Sequence, residues 1–336
     1  MYMWTIVIIG IVLALGFDFL NGMNDAANSI ATIVSTKVLS PFAAVAWAAF
    51  FNFVAVFIFK NHVATTIGKS IVNPGIITPY FVLAALISAI IWVYTCTRFG
   101  LPISVSHSLI GGLIGPGLVI GGTGALVSAG IFKVAIFIVL APMTGLFLGY
   151  IIMLITLHVC RKFTPKKVDK SFRVLQLFSS AVFSLGHGSN DAQKTMGVIT
   201  VLLYSSGYFG HTYPESIPFW IIGACYSAIA LGTLTGGWKT VKTLGVGLTD
   251  LKPIHGFAAE TAGAIAVIGS SLLGVPVSTT HTVTGAIMGV GMTRRLSAVK
   301  WGVAGNIAIA WLLTIPTTMV ISMGVFYLIT HIFPAM

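Results

Sequence analysis

The stretch Phe132–Leu157 runs for 26 residues with a single charge, Lys133. Crossing the hydrocarbon of a bilayer takes about 20 predominantly apolar residues. Comparable runs lie at Met3–Leu20, Phe42–Phe59, Tyr80–Thr97, Phe172–Gly186, Phe219–Gly236, Ile254–Leu273 and Trp301–Thr330. Four further segments, Asn21–Ser35, Pro102–Gly121, Gly188–Leu203 and Pro276–Met292, are apolar but interrupted by Gly, Pro and polar residues. Charged residues make up 7% of the chain and hydrophobic ones 57%, where a soluble domain carries about 25% charged. That excludes a soluble globular protein and a disordered chain. It argues against a β-barrel, whose polar lumen dilutes the apolar signal. The fold class is therefore an all-α polytopic membrane protein, with about ten to twelve membrane segments. The first twenty residues lack a basic n-region and a cleavage site, which predicts a retained span, not a signal peptide. Cys96, Cys160 and Cys225 form no CxxC pair and suggest neither a metal site nor a disulfide.

The chain repeats itself. Asn21-Gly-Met-Asn24-Asp25-Ala-Ala-Asn28-Ser29 matches His187-Gly-Ser-Asn190-Asp191-Ala-Gln193-Lys194-Thr195. Leu101-Pro-Ile-Ser104-Val-Ser106-His107 matches Val275-Pro-Val-Ser278-Thr279-Thr280-His281. Asp25 and Ser104 are 79 residues apart, Asp191 and Ser278 are 87 apart. Two motifs in one order at nearly one spacing divide the chain into a first repeat at 1–160, a basic connector at 161–173 and a second repeat at 174–336.

Net charge is +11, from 18 Lys+Arg against 7 Asp+Glu. In a soluble protein that surplus would suggest nucleic acid; here the positive-inside rule accounts for it, and no nucleic-acid partner is expected. The connector carries Arg161, Lys162, Lys166, Lys167, Lys170 and Arg173 and is expected to be cytoplasmic. If Pro102–Gly121 crosses and Asn21–Ser35 re-enters, each half has five crossings and the halves are inverted. Both termini then fall outside, and 14 of the 18 basic residues fall inside. Inverted repeats with broken or re-entrant helices are the mark of secondary transporters, with the site at the midplane.

Ionised groups in a membrane are costly and functional by default. Asp25, Asp191 and Glu260 lie in or beside apolar segments, with Asp18 a fourth candidate. Asn before Asp at the head of a short apolar run reads as a helix N-terminus, and such pairs can serve as caps alone. Ser104, Ser106 and Ser108, and Ser278, Thr279, Thr280 and Thr282, follow prolines at predicted helix starts. Such starts bind anions through free N–H groups and the dipole; the same hydroxyls can instead bond their own helix backbone. His107, His187, His281 and Asn52 are open between helix–helix contacts and a site role, with His187 placed best for a proton relay. Helix starts and Lys194 favour an anion, and two nearby carboxylates repel one. Both fit one low-dielectric site if cations lie between them or the carboxylates are protonated. Oxygen ligands suit a hard cation such as Na⁺. The physical reading is cation-coupled anion transport, with cation handling by an acidic pair as the alternative.

At these residues the chain resembles the inorganic phosphate transporter (Pit) family, which includes the sodium–phosphate symporters of animals. The family carries a GANDxANA-type motif in each half and a P-[IV]-S-[TS]-[TS]-H motif later in each half. Here they read Gly22–Ser29, Gly188–Thr195, Pro102–His107 and Pro276–His281, with Met23 and Ser189 in place of Ala and Val105 in place of a hydroxyl. Asp-Ala-Gln-Lys-Thr and the short connector resemble the prokaryotic branch. The resemblance implies a multi-pass plasma-membrane symporter, and no enzyme, moving inorganic phosphate with Na⁺ or H⁺, with no further cofactor and with a homodimer as its assembly. Residue chemistry and resemblance together lead us to expect phosphate at Ser104, Ser106, Ser278, Thr279 and Thr280, with Asn28, Ser29, Lys194 and Thr195 nearby. Cations, sodium favoured, are expected at Asn24, Asp25, Asn190 and Asp191, with Glu260 a further candidate from its place in an apolar segment. A sulfate transporter and a passive ion channel are the rival readings.

Overall fold

Helix follows the apolar runs. The computed structural model describes residues 2–58, 71–210, 213–214, 216–272 and 277–332. Its helices are α1 (Tyr2–Ser35), α2 (Pro41–Val54), α3 (Pro79–Phe99), α4 (Val105–Gly121), α5 (Ser128–Cys160) and α6 (Pro165–Ser205). α7 (Phe219–Thr235), α8 (Trp238–Gly245), α9 (Pro253–Leu272), α10 (Thr279–Met292) and α11 (Trp301–Ile332) follow. Local chemistry sets several ends. Ser40 and Thr78 cap α2 and α3 ahead of Pro41 and Pro79. Gly100, with φ of 72°, stops α3 in the left-handed conformation. Ser104 and Ser278 cap α4 and α10, each accepting the N–H three residues on, His107 at 3.3 Å and His281 at 3.2 Å. The two hydroxyl-rich motifs therefore do open helices. Gly274 and Pro276 lie outside the described residues.

The Asn-Asp motifs do not. α1 and α6 are continuous helices of 34 and 41 residues, and Asn24, Asp25, Asn190 and Asp191 sit in their middles. The expected separate re-entrant segments Asn21–Ser35 and Gly188–Leu203 are thus the second parts of long helices. The capping preference of Asn and Asp is a local term worth about 1 kcal/mol. It gives way here because these side chains find partners on other helices. The connector is likewise mostly the first turns of α6, held at Arg173 by an ion pair to Asp169 (3.0 Å) and a bond to the Lys37 carbonyl (3.0 Å).

Five helical segments are long and apolar enough to cross a membrane: Met3–Ser35, Pro79–Phe99, Val105–Ala125, Ser128–Cys160 and Trp301–Ile332. α7 and α8, bent by 73° at Gly236, form a sixth if taken as one span. The expected ten to twelve segments include helices that do not qualify alone. α2 and α10 are short, with 14 residues each, and α6 and α9 carry buried charged side chains.

Two apolar cores flank a polar layer. One gathers Val7, Ala14 and Phe17 of α1 with Met196, Ile199 and Leu202 of α6 and residues of α3, α4 and α7. The other gathers Ile30 and Ile33 of α1 with Phe183 of α6 and residues of α2, α8, α9 and α10. α1 passes from the first core to the second and α6 from the second to the first. Between the cores, 18–29 of α1 and 184–195 of α6 carry the buried polar side chains. Glycine seams bind the outer helices. Gly145 and Gly149 of α5 face the backbone of Thr282 and Ala286, while Gly285 and Gly289 of α10 face that of Pro142 and Leu146. Gly111 and Gly115 of α4 lie in the same way against Ile315 and Met319 of α11. Small residues four apart let helix backbones approach this closely in a membrane.

Candidate functional site

The polar layer brings two pairs of elements together: the middles of α1 and α6 and the starts of α4 and α10. Thr280 donates to Asp25 Oδ1 (3.0 Å). The Thr279 hydroxyl lies 3.1 Å from Asp191 Oδ2 and 3.4 Å from Asp25 Oδ2, so one hydroxyl spans both carboxylates. His187 Nε2 lies 3.2 Å from Asp191 and 3.8 Å from Asp25. One ligand atom from each of Asp25, His187 and Asp191 falls within 4.8 Å of the others, a set that fits a metal ion. Two ionised carboxylates at that separation repel by roughly 3 kcal/mol at an effective dielectric of 20. Positive charge is what makes the arrangement tenable. Lys194 supplies part of it: Nζ pairs with Asp191 and donates to Ser106 Oγ (2.6 Å) and the Val277 carbonyl (3.3 Å).

The asparagines share a pattern. Asn24 donates to Thr97 Oγ1 (2.7 Å), Asn28 to Thr280 Oγ1 (3.0 Å) and Asn190 to the Val277 carbonyl (3.2 Å). Each spends its amide N–H on protein and leaves a buried Oδ1 without a protein partner, as does the Ser29 hydroxyl oxygen. Buried acceptors of this kind are normally satisfied, and carbonyl and carboxylate oxygens are the ligands a hard cation takes. Asp18, fully buried one turn before Asn21, has neither oxygen in a hydrogen bond of normal geometry; Asn21 and Thr195 lie against it.

Of the residues expected at the site, Asn24, Asp25, Asn28, Asn190, Asp191, Lys194, Ser106, Ser278, Thr279 and Thr280 fall in this one network or directly beside it. Ser29 and Thr195 are buried on the same stretches of α1 and α6, and Ser104 caps the helix that carries Ser106. Glu260 stands apart. It accepts from Thr32 (2.6 Å), Gln176 (2.9 Å) and Ser179 (2.5 Å), and among the described residues it has no ion-pair partner. His187 is drawn in by Asn52, whose Oδ1 is 3.2 Å from Nδ1 and whose amide donates to Thr233 (2.9 Å). His107 and His281 make a ring-to-ring contact, centroids 4.8 Å apart, and His281 stacks on Trp311 at 3.9 Å. Thr97, Thr233, Gln176 and Ser179 escaped sequence reasoning: a single Thr, Ser or Gln in an apolar helix carries no local mark.

Comparison with known proteins matches the chain to a family. Residues 21–322 fit the model of the phosphate transporter family. A probable low-affinity inorganic phosphate transporter of Rhizobium meliloti is 54% identical over 312 residues, 93% of each chain. One of Bacillus subtilis is 38% identical over 325 residues, 96% of this chain and 97% of that one. A solved structure titled "The sodium-dependent phosphate transporter" superposes with a TM-score of 0.86 at 28% identity, covering 98% of this chain and all of the other. These relatives are transporters, not enzymes. The chain belongs to the phosphate transporter family.

Proposed function

We propose that this protein is a secondary active transporter that imports inorganic phosphate together with a cation, by alternating access. The observation that carries the reading is the Thr279 hydroxyl set between Asp25 and Asp191 at the opening turn of α10. It joins a cation-type ligand set to a helix start with free N–H groups. Phosphate takes the hydroxyl side: Ser104, Ser106, Ser278, Thr279 and Thr280, with Asn28, Ser29, Lys194 and Thr195 beside it. The coupling cation takes the carboxylate side: Asn24, Asp25, Asn190 and Asp191. Sodium is favoured over the proton because neutral Asn carbonyls accompany the carboxylates and because the solved structural relative is sodium-dependent by its title. Glu260, buried with three donors and no countercharge among the described residues, is the further cation position.

The recurrence of the two motifs in each repeat, 1–160 and 174–336, and the opposite passage of α1 and α6 between the cores support inverted halves. The rocking of one against the other is then the transport step. The basic connector, 161–173, faces the cytoplasm of a multi-pass plasma-membrane protein and both termini face outward. The assembly is a homodimer. Radiolabelled phosphate uptake into proteoliposomes, with Na⁺ and pH gradients imposed separately, tests the function. Accumulation against a phosphate gradient driven by one cation supports it; sulfate outcompeting phosphate, or flux only down the anion gradient, would favour the rival transporter or a channel.

A further inference from the structure

We infer that Lys194 is a built-in cation: its ammonium group holds, at Asp191, the place that an exchangeable alkali cation takes at Asp25. The protein then carries one cation fewer per phosphate than its two carboxylates suggest. The inference rests on the cation-coupled reading above and sharpens it, because it assigns the two carboxylates different duties.

The internal repeat supplies the comparison. A shift of 166 positions takes Asn24, Asp25 and Asn28 to Asn190, Asp191 and Lys194, and a shift of 174 takes Ser106 to Thr280. The contacts repeat with the sequence. In one half-site Asn28 reaches Thr280 (3.0 Å), whose hydroxyl serves Asp25. In the other Lys194 reaches Ser106 (2.6 Å) and pairs with Asp191. Each half-site thus joins the third residue after its Asp to a hydroxyl at the start of the opposite half's short helix.

What differs is the charge. Lys194 Nζ has three donors, and a carboxylate, a hydroxyl and a backbone carbonyl take them. Those three kinds of oxygen are also the ligand set of a hard cation. With its donors spent on protein, Lys194 meets the anion as a fixed charge rather than as a hydrogen-bond donor. Asn28 brings no charge; its buried Oδ1 has no protein partner. Among the described residues Asp25 has no Lys or Arg partner, only His187 at 3.8 Å. The first half-site thus presents a carboxylate and free carbonyl oxygens, and the second presents the same frame already neutralised.

Lys194→Asn tests this by giving the second half the first half's residue. Dual-label flux of ²²Na⁺ and ³²P-phosphate in proteoliposomes is expected to show one more Na⁺ per phosphate than wild type, whatever the wild-type number. Lys194→Met, which offers neither charge nor oxygen, is expected to gain none. Sodium-dependent melting of the purified proteins gives a readout independent of transport. Lys194→Asn should melt lower than wild type without Na⁺ and rise more steeply with Na⁺, by linkage to a newly bound ion. An unchanged flux ratio, or in an inactive variant an unchanged sodium dependence of melting, overturns the inference. Failure of wild-type phosphate uptake would instead overturn the transport reading, while the melting comparison would still decide this one.

Discussion

Thr280 and Asp25 are 255 positions apart in the chain and 3.0 Å apart in space, hydroxyl donating to carboxylate. The bond ties a short helix of one repeat to a long helix of the other. Thr280→Val removes it while keeping the side-chain shape. A hydrogen bond to a charged group is worth about 1.5–3 kcal/mol, so cation-driven uptake should need roughly 10- to 100-fold more cation for half-saturation. Asp25→Asn should abolish the coupling altogether. Initial-rate uptake across a cation titration checks both; uptake by Asp25→Asn with wild-type cation dependence would refute the role of that carboxylate.

Asp191 and Lys194 are buried partners on one turn of α6. Removing one partner of a buried pair leaves the other uncompensated, at a cost of about 3–5 kcal/mol, whereas removing both is far cheaper. Asp191→Asn should therefore lower the melting temperature markedly. Adding Lys194→Met should recover much of the loss without recovering transport. Equal melting of the single and double variants would show that the pair is not coupled.

The α5–α10 seam gives a packing prediction. A Cβ at Gly285 or Gly289 would meet the backbone of Pro142 or Leu146, which cannot move aside as a side-chain tip can. Gly285→Val should cost about 1–3 kcal/mol through overpacking. Gly302→Ala, whose added Cβ meets nothing within 4 Å, should be neutral or slightly stabilising. Thermal unfolding in detergent separates the two.

Glu260→Gln keeps a polar side chain among Thr32, Gln176 and Ser179 but removes the charge. The expected result is weaker cation dependence, with half-saturation shifted roughly tenfold, and little change in phosphate affinity at saturating cation. A phosphate affinity that falls while cation dependence stays the same would place Glu260 outside cation handling.

Much of this architecture is legible in the sequence because it is local. The apolar runs give α3, α5 and α11 to within a few residues, and Ser104 and Ser278 mark helix starts by a chemistry confined to one turn. The continuity of α1 and α6 is not legible, since the Asn-Asp pairs carry the same local signature whether they begin a helix or sit within one. What decides is their partners: Thr97 is 73 positions from Asn24 and Thr280 is 252 from Asn28. The repeat places Asp25 and Asp191 at equivalent points, but no spacing rule says that Thr279 lies between them. Glu260 reads from sequence as one more acid of the same kind, and only the fold separates it, because its donors come from α1 and α6 rather than from a motif of its own.

The unbroken courses of α1 and α6 have a mechanical consequence. Asp25 and Asp191 ride on rods that are each anchored in both apolar cores. The hydroxyls ride on the first turns of α4 and α10, each packed into one of those cores. Thr279, at the start of α10, touches both carboxylates. On the transport reading proposed above, a displacement of α10 away from α1 and α6 would take a ligand from the cation and a donor from the anion in a single stroke.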